Sequence, residues 1–463
     1  MKDLPRHPSG HSAEVLLPTR SAPWASTADR MKAVQRLLLP CLLAEVWLVA
    51  GLGPGPQSPE PLQTPSAQNG TSQGVQAPEE EQAEDSWLTA GGRQLSADTS
   101  NMGFNLLRKI SLRHEGNVVF SPLGLSVAMA ALMLGVQRQT RAQPESGPRL
   151  QTLNQTRPGH WLGLFRQLRE RLARSRELGL SQGSLAFLQE DFDVKETFLN
   201  LSKRYFDECV TMNFRNASQA KGLMNHYINK ETQGKIPQLF DEINPDTKLI
   251  LVDYILLKGR WLTPFNPLLT EADSFHVSKY SSVKVPMMYR AGDFAHTFDK
   301  NFRCHVLKLP YRGNATMLVV LMEKVGDHLA LEDYLTADLV DTWLRNMKTR
   351  NMEVSFPKFK LDQKYEMHEL LKQMGIRRIF SPWASLSELS ATARDLKVSK
   401  VLQRAAIEVD EKGTEAMAGT VSEITAYSMP PVIRVDRPFH FMIYEETSGM
   451  LLFLGRVVNP TVL

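Results

Sequence analysis

Near its C-terminus the chain reads Glu411-Lys-Gly-Thr-Glu-Ala-Met-Ala-Gly-Thr-Val-Ser-Glu-Ile-Thr-Ala-Tyr-Ser-Met-Pro-Pro431. The preceding run, Ala406–Asp410, predicts a strand because its apolar residues alternate with acids. Gly413 supplies a backbone hinge, since glycine occupies both halves of φ/ψ space. Mostly small residues follow, so the segment suits either an exposed loop or a buried strand. Pro430 and Pro431 end it, because proline cannot continue a strand ladder.

Alternate residues of this stretch would share one face of a strand. The face that suits burial is small or uncharged and consists of Thr414, Ala416, Ala418 and Thr420. Glu415 and Met417 lie on the opposite face. From Gly413 to Tyr427 a strand would span roughly 45 Å at ~3.3 Å per residue. That is about the length of a domain of this size.

The pattern Glu-x-Gly-Thr-Glu-Ala, followed by small residues, resembles the reactive-loop hinge of the serpins, a family of suicide protease inhibitors. Two downstream runs, Val435–Ile443 and Gly449–Val457, look like C-terminal strands of that family. Further similar runs are Asn117–Pro122, Asn225–Leu239 and Lys258–Trp261. The resemblance covers residues 95–463. It implies an α+β (mixed) serpin fold with a large central β-sheet, surrounding helices and an exposed reactive loop.

The resemblance also implies irreversible inhibition of a serine protease. The protease attacks the carbonyl of Tyr427, the Tyr427–Ser428 bond breaks, and an acyl-enzyme forms. Insertion of the loop into the sheet then traps that acyl-enzyme, as is known for the family. The hinge residues implied are Glu411, Gly413, Thr414, Glu415, Ala416 and Ala418. Met417 stands where the family usually has alanine, and its outward placement makes that departure tolerable.

Tyr427 by itself predicts a chymotrypsin-like target, because a large aromatic side chain fills an apolar primary pocket. Similarity to a plasma member of the family implies instead coagulation factor Xa, with factor XIa as a further target, in the regulation of blood coagulation. Protein Z would assist on phospholipid with calcium, so the membrane is reached only indirectly. By resemblance, Tyr280 and Asp333 engage protein Z, with Glu115 as a helper. The alternative is that these three are ordinary exposed residues.

Two other function classes compete with inhibition. An enzyme is disfavoured, because the sequence contains no His-Glu-x-x-His, Cys-x-x-Cys or phosphate-binding glycine loop. We therefore expect no catalytic residues, no metal and no bound cofactor other than a glycosaminoglycan. The second class is a non-inhibitory serpin that acts as a carrier or chaperone. Such proteins tend to carry bulky, charged or proline residues in the hinge, and the inserting face here has none.

Composition predicts one large domain and no nucleic-acid partner. The chain has 463 residues, 42% of them hydrophobic, and its 54 basic and 50 acidic residues leave a net charge of +4. A polyanion site would therefore need local clustering. Arginines cluster between Gln137 and Arg176. Part of this stretch predicts an amphipathic helix, whose apolar residues are Leu164, Phe165, Leu168 and Leu172. The hypothesis is heparin binding at Arg157, Arg166 and Arg169, and the alternative is an ordinary solvated helix face.

The N-terminal part of the chain predicts export. Residues 1–30 read as disordered or as an upstream extension, and residues 31–51 as a signal peptide if translation begins at Met31. A short membrane anchor is the alternative, which Pro40 and Glu45 disfavour. The composition of residues 52–94 predicts a disordered acidic tail. Residues 95–463 are predicted to form the serpin domain. Thr99 or Ser100 is predicted to cap its first helix. We expect a secreted plasma glycoprotein with sequons at Asn69, Asn154, Asn200, Asn216 and Asn314.

Four positions beneath the expected insertion point are compared with the family pattern. Ser121 matches the family's serine, whereas Gly124 stands where a second serine is common. Asp253 replaces the usual asparagine and Gln403 the usual histidine. A rebuilt hydrogen-bond network follows, because a buried acid needs partners. Cys209 and Cys304 either pair or remain as small buried hydrophobic residues.

Overall fold

The computed structural model describes residues 90–135, 158–203, 206–390, 396–412 and 430–463. Its helices are α1 (Ala90–Ser111), α2 (Pro122–Leu134), α3 (Pro158–Arg174), α4 (Glu196–Ser202), α5 (Ala217–Glu231), α6 (His328–Glu332), α7 (Ala337–Asn346) and α8 (Met367–Gln373). Its strands are β1 (Val118–Phe120), β2 (Leu180–Gln189), β3 (Glu208–Met212), β4 (Leu249–Leu257), β5 (Glu271–His276), β6 (Ser282–Asp299), β7 (Cys304–Tyr311), β8 (Ala315–Met322), β9 (Lys348–Pro357), β10 (Phe359–Glu366), β11 (Lys400–Val409), β12 (Val432–Arg434), β13 (Phe439–Glu445) and β14 (Leu451–Val457).

Two β-sheets organise the described residues. The larger has the order β1-β14-β13-β8-β7-β6-β9-β12, with β5 paired to β6. The smaller has the order β10-β11-β4-β2-β3. Within it β4 and β11 run parallel to each other, whereas β4 and β2, and β10 and β11, are antiparallel. Together with the helices this is the mixed α+β architecture that the sequence predicts.

The continuous apolar run Leu249–Leu257 predicts a strand inside a sheet covered on both faces. That prediction is confirmed, because β4 spans the same residues and lies between β2 and β11. The run Leu125–Leu134 is apolar on nearly every side, which predicts a buried helix, and the residues described along α2 are buried. It begins at Pro122, and its N-cap Ser121 accepts a hydrogen bond from the Gly124 amide at 3.0 Å.

The first helix differs from the prediction. It begins at Ala90, five residues before the expected domain boundary at 95. Thr99 and Ser100 therefore lie inside α1, where both are buried, and neither caps it. The helix continues towards its N-terminus because Leu95 is buried and the Ser96 hydroxyl donates to the Ser448 carbonyl at 2.6 Å.

The run Met352–Phe359 predicts one strand from its sequence, yet in the structure it is divided between both sheets. Strand β9 pairs with β6 in the larger sheet and ends at Pro357. Strand β10 begins at Phe359 and pairs with β11 in the smaller sheet. Alternation within a short run cannot reveal such a crossing. It leaves Lys358 between β9 and β10, where its side chain contacts Glu411, just beyond the end of β11.

The two described cysteines are free, so the unpaired alternative is confirmed for them. Cys304 is buried in β7, and Cys209 is partly buried in β3. Burial raises the pKa of both thiols, to about 12 for Cys304 and about 11 for Cys209. Among the described residues no helix is long and apolar enough to cross a membrane.

Candidate functional site

Most of the predicted reactive loop lies outside the described residues. This applies to the scissile pair Tyr427 and Ser428 and to five of the hinge residues, Gly413, Thr414, Glu415, Ala416 and Ala418. The sixth, Glu411, is described. The structure therefore defines the base from which the loop departs.

Glu411 is fixed by two side-chain contacts just beyond the end of β11. Its carboxylate accepts a hydrogen bond from the Thr270 hydroxyl at 2.9 Å and one from the Lys358 ammonium at 2.8 Å. Burial raises the pKa of a carboxyl group, yet the contacts with Lys358 and Thr270 hold the pKa of Glu411 below its usual value. Glu411 is thus an ionised anchor at neutral pH.

Trp261 holds the residues on either side of Glu411. Its indole N–H donates to the Asp410 carbonyl at 2.8 Å, and its backbone N–H donates to the Lys412 carbonyl at 3.2 Å. The buried indole ring stacks on Tyr311, with ring centroids 4.3 Å apart. Three consecutive residues at the loop base are therefore held in place before Gly413.

Strand β11, which leads into the loop, pairs in parallel with β4. The pairing extends from the pair Lys400 and Ile250 to the pair Ile407 and Leu257. Parallel pairing is slightly less stable per residue than antiparallel pairing. The chain that leaves β11 and folds back would run antiparallel to both strands if it entered between them.

A hydrogen-bonded cluster joins β11 to β4 at the middle of this pair. Gln403 and Asp253 are direct register partners, and the Gln403 amide donates to the Asp253 carboxylate at 2.7 Å. The same amide group donates to the Ser121 carbonyl at 2.9 Å and accepts from the Ser121 N–H at 2.8 Å. The Ser184 hydroxyl donates to the other Asp253 oxygen at 3.2 Å. This is the rebuilt network that the substitutions at these positions predict.

Gly124 and Asp253 fit each other sterically. A Cβ atom added at Gly124 would overlap both carboxylate oxygens of Asp253. A serine at 124 is therefore incompatible with this position of the carboxylate. Burial raises the pKa of Asp253 to about 6, although the hydrogen bonds from Gln403 and Ser184 oppose the increase.

The cluster continues to the basic helix α3. The Ser184 N–H donates to Asp207 at 2.7 Å, and the other Asp207 oxygen contacts the Arg169 guanidinium at 2.7 Å. The Arg169 side chain is only 16% exposed. A polar path thus connects Arg169, through Asp207 and Ser184, to Asp253.

The other predicted heparin residues differ from Arg169. Arg166 is 44% exposed and lies 3.6 Å from Glu170 on the same helix. Arg157 lies outside the described residues. The predicted apolar face is confirmed, because Leu164, Phe165, Leu168 and Leu172 are all buried. Glycosaminoglycan binding stays a prediction, with Arg166 more accessible than Arg169.

The three residues predicted to engage protein Z are exposed. Tyr280 is 96% exposed, an extreme value for an aromatic residue, and Asp333 and Glu115 are also exposed. Asp333 directly follows α6, which is anchored from beneath. Arg108 donates to the carbonyl groups of Glu332 at 2.8 Å, Asp333 at 3.3 Å and Leu335 at 2.5 Å.

A buried ionic cluster provides the second anchor of α6. The Glu332 carboxylate contacts the Arg456 guanidinium at 2.6 Å and the His440 ring at 2.8 Å, and it accepts from Ser111. The position of His440 inside the run Val435–Ile443 predicts a structural rather than a catalytic role, and its burial against Glu332 supports that role. Sequence patterns did not indicate Arg108, Glu332 or Arg456. The contacts of Glu332 join residues far apart in the chain, so no local spacing could indicate them.

The described sequons differ in how their amides are engaged. Asn200, Asn216 and Asn314 are all exposed, while Asn69 and Asn154 lie outside the described residues. The Asn216 amide donates to Gln219 at 3.0 Å. The Asn314 amide donates to Glu445 at 2.8 Å and to Thr447 at 2.7 Å, so both of its N–H groups are used. Glycan attachment at these three residues stays a prediction. In the described part of the chain, no group of three or more His, Cys, Asp or Glu residues is placed so that it could hold a metal ion.

The serpin model, described as serine protease inhibitor, matches residues 97–460. The chain belongs to the serpin family. As a serpin it is an inhibitor by family rather than an enzyme.

The chain is similar to individual serpins of known sequence or structure. The human protein Z-dependent protease inhibitor is 72% identical over 447 residues, covering 94% of this chain and 100% of the relative. The crystal structure of the mouse protein Z-dependent protease inhibitor is 67% identical with a TM-score of 0.76, covering 81% of this chain and 99% of that one. The structure of human thyroxine-binding globulin complexed with its hormone is 30% identical with a TM-score of 0.71, covering 80% of this chain and 100% of that one.

Proposed function

We propose that this serpin traps a serine protease as an acyl-enzyme at Tyr427–Ser428 by inserting residues from Gly413 onward between β11 and β4. The target is coagulation factor Xa, with protein Z as cofactor on phospholipid and calcium, and factor XIa is a second target. The protein acts after secretion into plasma, as a glycoprotein, in the regulation of blood coagulation. The 72% identity to a relative named for protein Z dependence supports this choice of partner.

The parallel pairing of β11 with β4 is the observation that carries this mechanism. The loop leaves the C-terminal end of β11, so its residues would run antiparallel to both strands on entry. One parallel pair would be replaced by two antiparallel pairs, which adds ladder hydrogen bonds. The gain in free energy would drive the sheet open once cleavage frees the loop.

Three sets of contacts resist insertion before cleavage. Trp261 holds Asp410 and Lys412, Glu411 is bound by Thr270 and Lys358, and Lys258 forms an ion pair with Glu408. Deeper in the sheet, Gln403 and Asp253 bridge β11 and β4. Such latches would keep the intact loop outside the sheet, and each lies on the path that the loop would take.

The decisive experiment is incubation with factor Xa, factor XIa, chymotrypsin and trypsin, followed by denaturing electrophoresis. We expect an SDS-stable adduct whose formation releases a peptide beginning at Ser428. Thr414→Arg should abolish the adduct and turn the protein into a substrate, because burying an unpaired charge in the sheet costs several kcal/mol. Glu415→Arg lies on the opposite face and is the matched control, which should retain the adduct. As much adduct from Thr414→Arg as from the wild type would refute insertion.

A carrier function is the second candidate, and a cavity favours it. The cavity has a volume of about 540 Å³ and is lined by residues of α1, α7, β7 and β13, including Arg93, Leu344, Lys308 and Tyr444. That volume is typical of small-molecule sites. The thyroxine-binding globulin structure shows that this fold can hold a hormone. Titration with thyroxine and with an apolar fluorescent dye tests the idea, and the absence of saturable binding by either would dismiss a carrier of this kind.

A further inference from the structure

Three cationic side chains follow one another closely where α7 leads into β9. Arg345 is in the last turn of α7, and Lys348 and Arg350 belong to the first three residues of β9. All three are exposed, and among the described residues no carboxylate forms an ion pair with any of them. We call these three residues the cationic corner. Their charge is available to an anionic partner.

The start of β9 lies at an edge of the larger sheet. It pairs with β6 on one side, and β12 pairs only with later residues of β9. Lys348 and Arg350 are two residues apart on the strand, so their side chains leave it on the same face. Lys348 is the register partner of His296. The pKa of His296 is lowered to about 4 by burial, by His305 and by Arg350, so both cations lie near this one ring.

The N-terminal end of α1 borders the cationic corner. Arg93 of α1 lines the cavity of about 540 Å³ together with Ala295 and Met347. Ala295 is the register partner of Thr349, and Met347 directly precedes Lys348. The start of α1 and the start of β9 are therefore neighbours across a single cavity. Arg93 is itself exposed and adds positive charge on this side.

The chain just before α1 carries the densest run of acids in the sequence. Segment 79–85, which lies outside the described residues, contains Glu79, Glu80, Glu81, Glu84 and Asp85. No lysine or arginine occurs between residues 79 and 92. Asp85 precedes Ala90 by five residues, which span at most about 17 Å when fully extended. That tether is long enough to cross a cavity of this volume.

We propose that the cationic corner binds the acidic segment 79–85 of the same chain. The opposite charges attract each other, and the tether to Ala90 keeps the segment close to the corner. Exposed ion pairs are individually weak, so the high effective concentration that a short tether provides is what maintains the contact. The docked segment covers the corner and competes with any other polyanion for it. This contact is independent of the reactive-loop function.

The other basic surface, helix α3, is a poorer partner for the segment. Three of its arginines already contact carboxylates, in the pairs Arg166 with Glu170, Arg169 with Asp207 and Arg171 with Glu445. Acids near the corner are fewer: Asp341 and Glu446 line the cavity, and Glu446 is paired with Lys308. Lysine on an edge strand can also serve only to prevent pairing with another chain, and the two measurements below separate that role from docking.

The first measurement is carbodiimide coupling of the full chain at low salt, followed by digestion and mass spectrometry. This reagent joins a carboxylate to a lysine amine when the two groups touch. We expect segment 79–85 to be joined to Lys348 with a yield about tenfold above that at Lys230, because a short tether gives a millimolar effective concentration. Lys230 is the control, since it is exposed but lies on α5. About 1 M salt should suppress the product, because the screening length is then ~3 Å.

Equal yields at Lys348 and Lys230 would overturn the proposal. A yield at Lys348 that rises with protein concentration would also overturn it, because the contact would then belong to a second copy of the chain.

The second measurement locates the segment by elution from a heparin column. The tail variant replaces Glu79, Glu80 and Glu81 by glutamine. We expect it to elute at higher salt than the wild type, because the corner becomes available to sulfate groups. In the background of Lys348→Gln with Arg350→Gln, most of that shift should disappear.

Arg174→Gln with Arg176→Gln is the matched control background, because both residues are exposed and lie at or just after the end of α3. The shift caused by the tail variant should persist there. A shift that persists in the corner background and disappears in the control background would assign the segment to α3. A shift of equal size in all three backgrounds would leave the corner cations as edge protection only. Either result would refute docking at the corner.

Discussion

At the scale of single residues, the pair Gly124 and Asp253 shows how two departures from the family pattern depend on each other. Each alone looks unfavourable, because a glycine weakens a helix and a buried acid is costly to ionise. Together they are compatible, since the space left by the absent Cβ holds the Asp253 carboxylate. Gln403 and Ser184 supply hydrogen bonds to that carboxylate.

Gly124→Ser should destabilise the protein by about 1–3 kcal/mol, because the new side chain overlaps the Asp253 carboxylate. The free energy of unfolding in urea measures this loss. In the double variant Gly124→Ser with Asp253→Ala, the side chain at 253 no longer reaches the position that the new serine would occupy. We expect the double variant to recover much of the loss, which a double-mutant cycle would report as a coupling energy. Strictly additive effects would contradict steric dependence between the two sites.

Asp253 also predicts a pH dependence of stability. Burial raises its pKa from 3.8 to about 6, so the folded protein binds this proton more tightly than the unfolded chain does. The stability contributed by the raised pKa is therefore present below about pH 4, is lost as the pH rises to about 6, and is constant above it. Two units of pKa correspond to about 3 kcal/mol.

Asp253→Asn should remove this slope between pH 4 and 6 and raise the melting temperature at pH 7.4. Asp246→Asn is the control, because Asp246 is exposed. Thermal unfolding across this pH range measures both variants against the wild type. An unchanged slope in Asp253→Asn would show that another group titrates.

At the scale of elements, helix α3 carries two arginines with different surroundings. Arg169 is largely buried against Asp207, which in turn binds Ser184 of β2. Arg166 is 44% exposed and, among the described residues, contacts Glu170 on its own helix. One basic helix thus has a residue available to a polyanion and another that supports the sheet.

Arg166→Ala should lower the salt concentration at which the protein elutes from a heparin column, with little change in melting temperature. Arg169→Ala should lower the melting temperature and leave heparin elution almost unchanged. The loss of the Arg169 cation leaves Asp207 unneutralised near Asp253, which costs about 1 kcal/mol of stability. Chromatography and thermal unfolding of both variants provide the comparison. If neither variant, nor the triple neutralisation with Arg157, changes heparin elution, the solvated-face alternative stands.

At the scale of the whole molecule, the loop and the surface around Asp333 are built by different contacts. The loop base depends on β11, Trp261 and Lys358, whereas Asp333 is positioned by Arg108 and the buried Glu332 cluster. A cofactor bound at Asp333 and a protease bound at the loop would therefore use separate surfaces. Recruitment to one membrane could then raise the rate without altering the loop.

We accordingly expect inhibition of factor Xa to depend on protein Z, calcium and phospholipid. Factor Xa prefers arginine in its primary pocket, so Tyr427 forfeits a charge-assisted contact of about 2–4 kcal/mol. Co-localisation can restore ~10²–10⁴-fold in rate through effective concentration. The measurement is the second-order rate constant with and without these cofactors.

Substitutions at the cofactor surface and at the scissile bond should affect different rates of factor Xa inhibition, the rate with protein Z and the rate without it. Tyr280→Ala with Asp333→Ala should lose only the assisted rate, and Glu115→Ala should weaken it less. Tyr427→Arg should raise the unassisted rate. A wild-type protein that inhibits equally fast with and without the cofactors would contradict this division.

The sequence by itself determined the family, the mixed α+β class and the central strand Leu249–Leu257, because these depend on local periodicity and on contiguous motifs. It also indicated that Asp253 and Gln403 require a rebuilt network. Only the tertiary structure decided that Gly124 accommodates Asp253, that Arg169 is turned inward and that Lys358 reaches Glu411. Each of these joins segments distant in the chain, and such contacts follow from packing and register, which local sequence patterns do not encode.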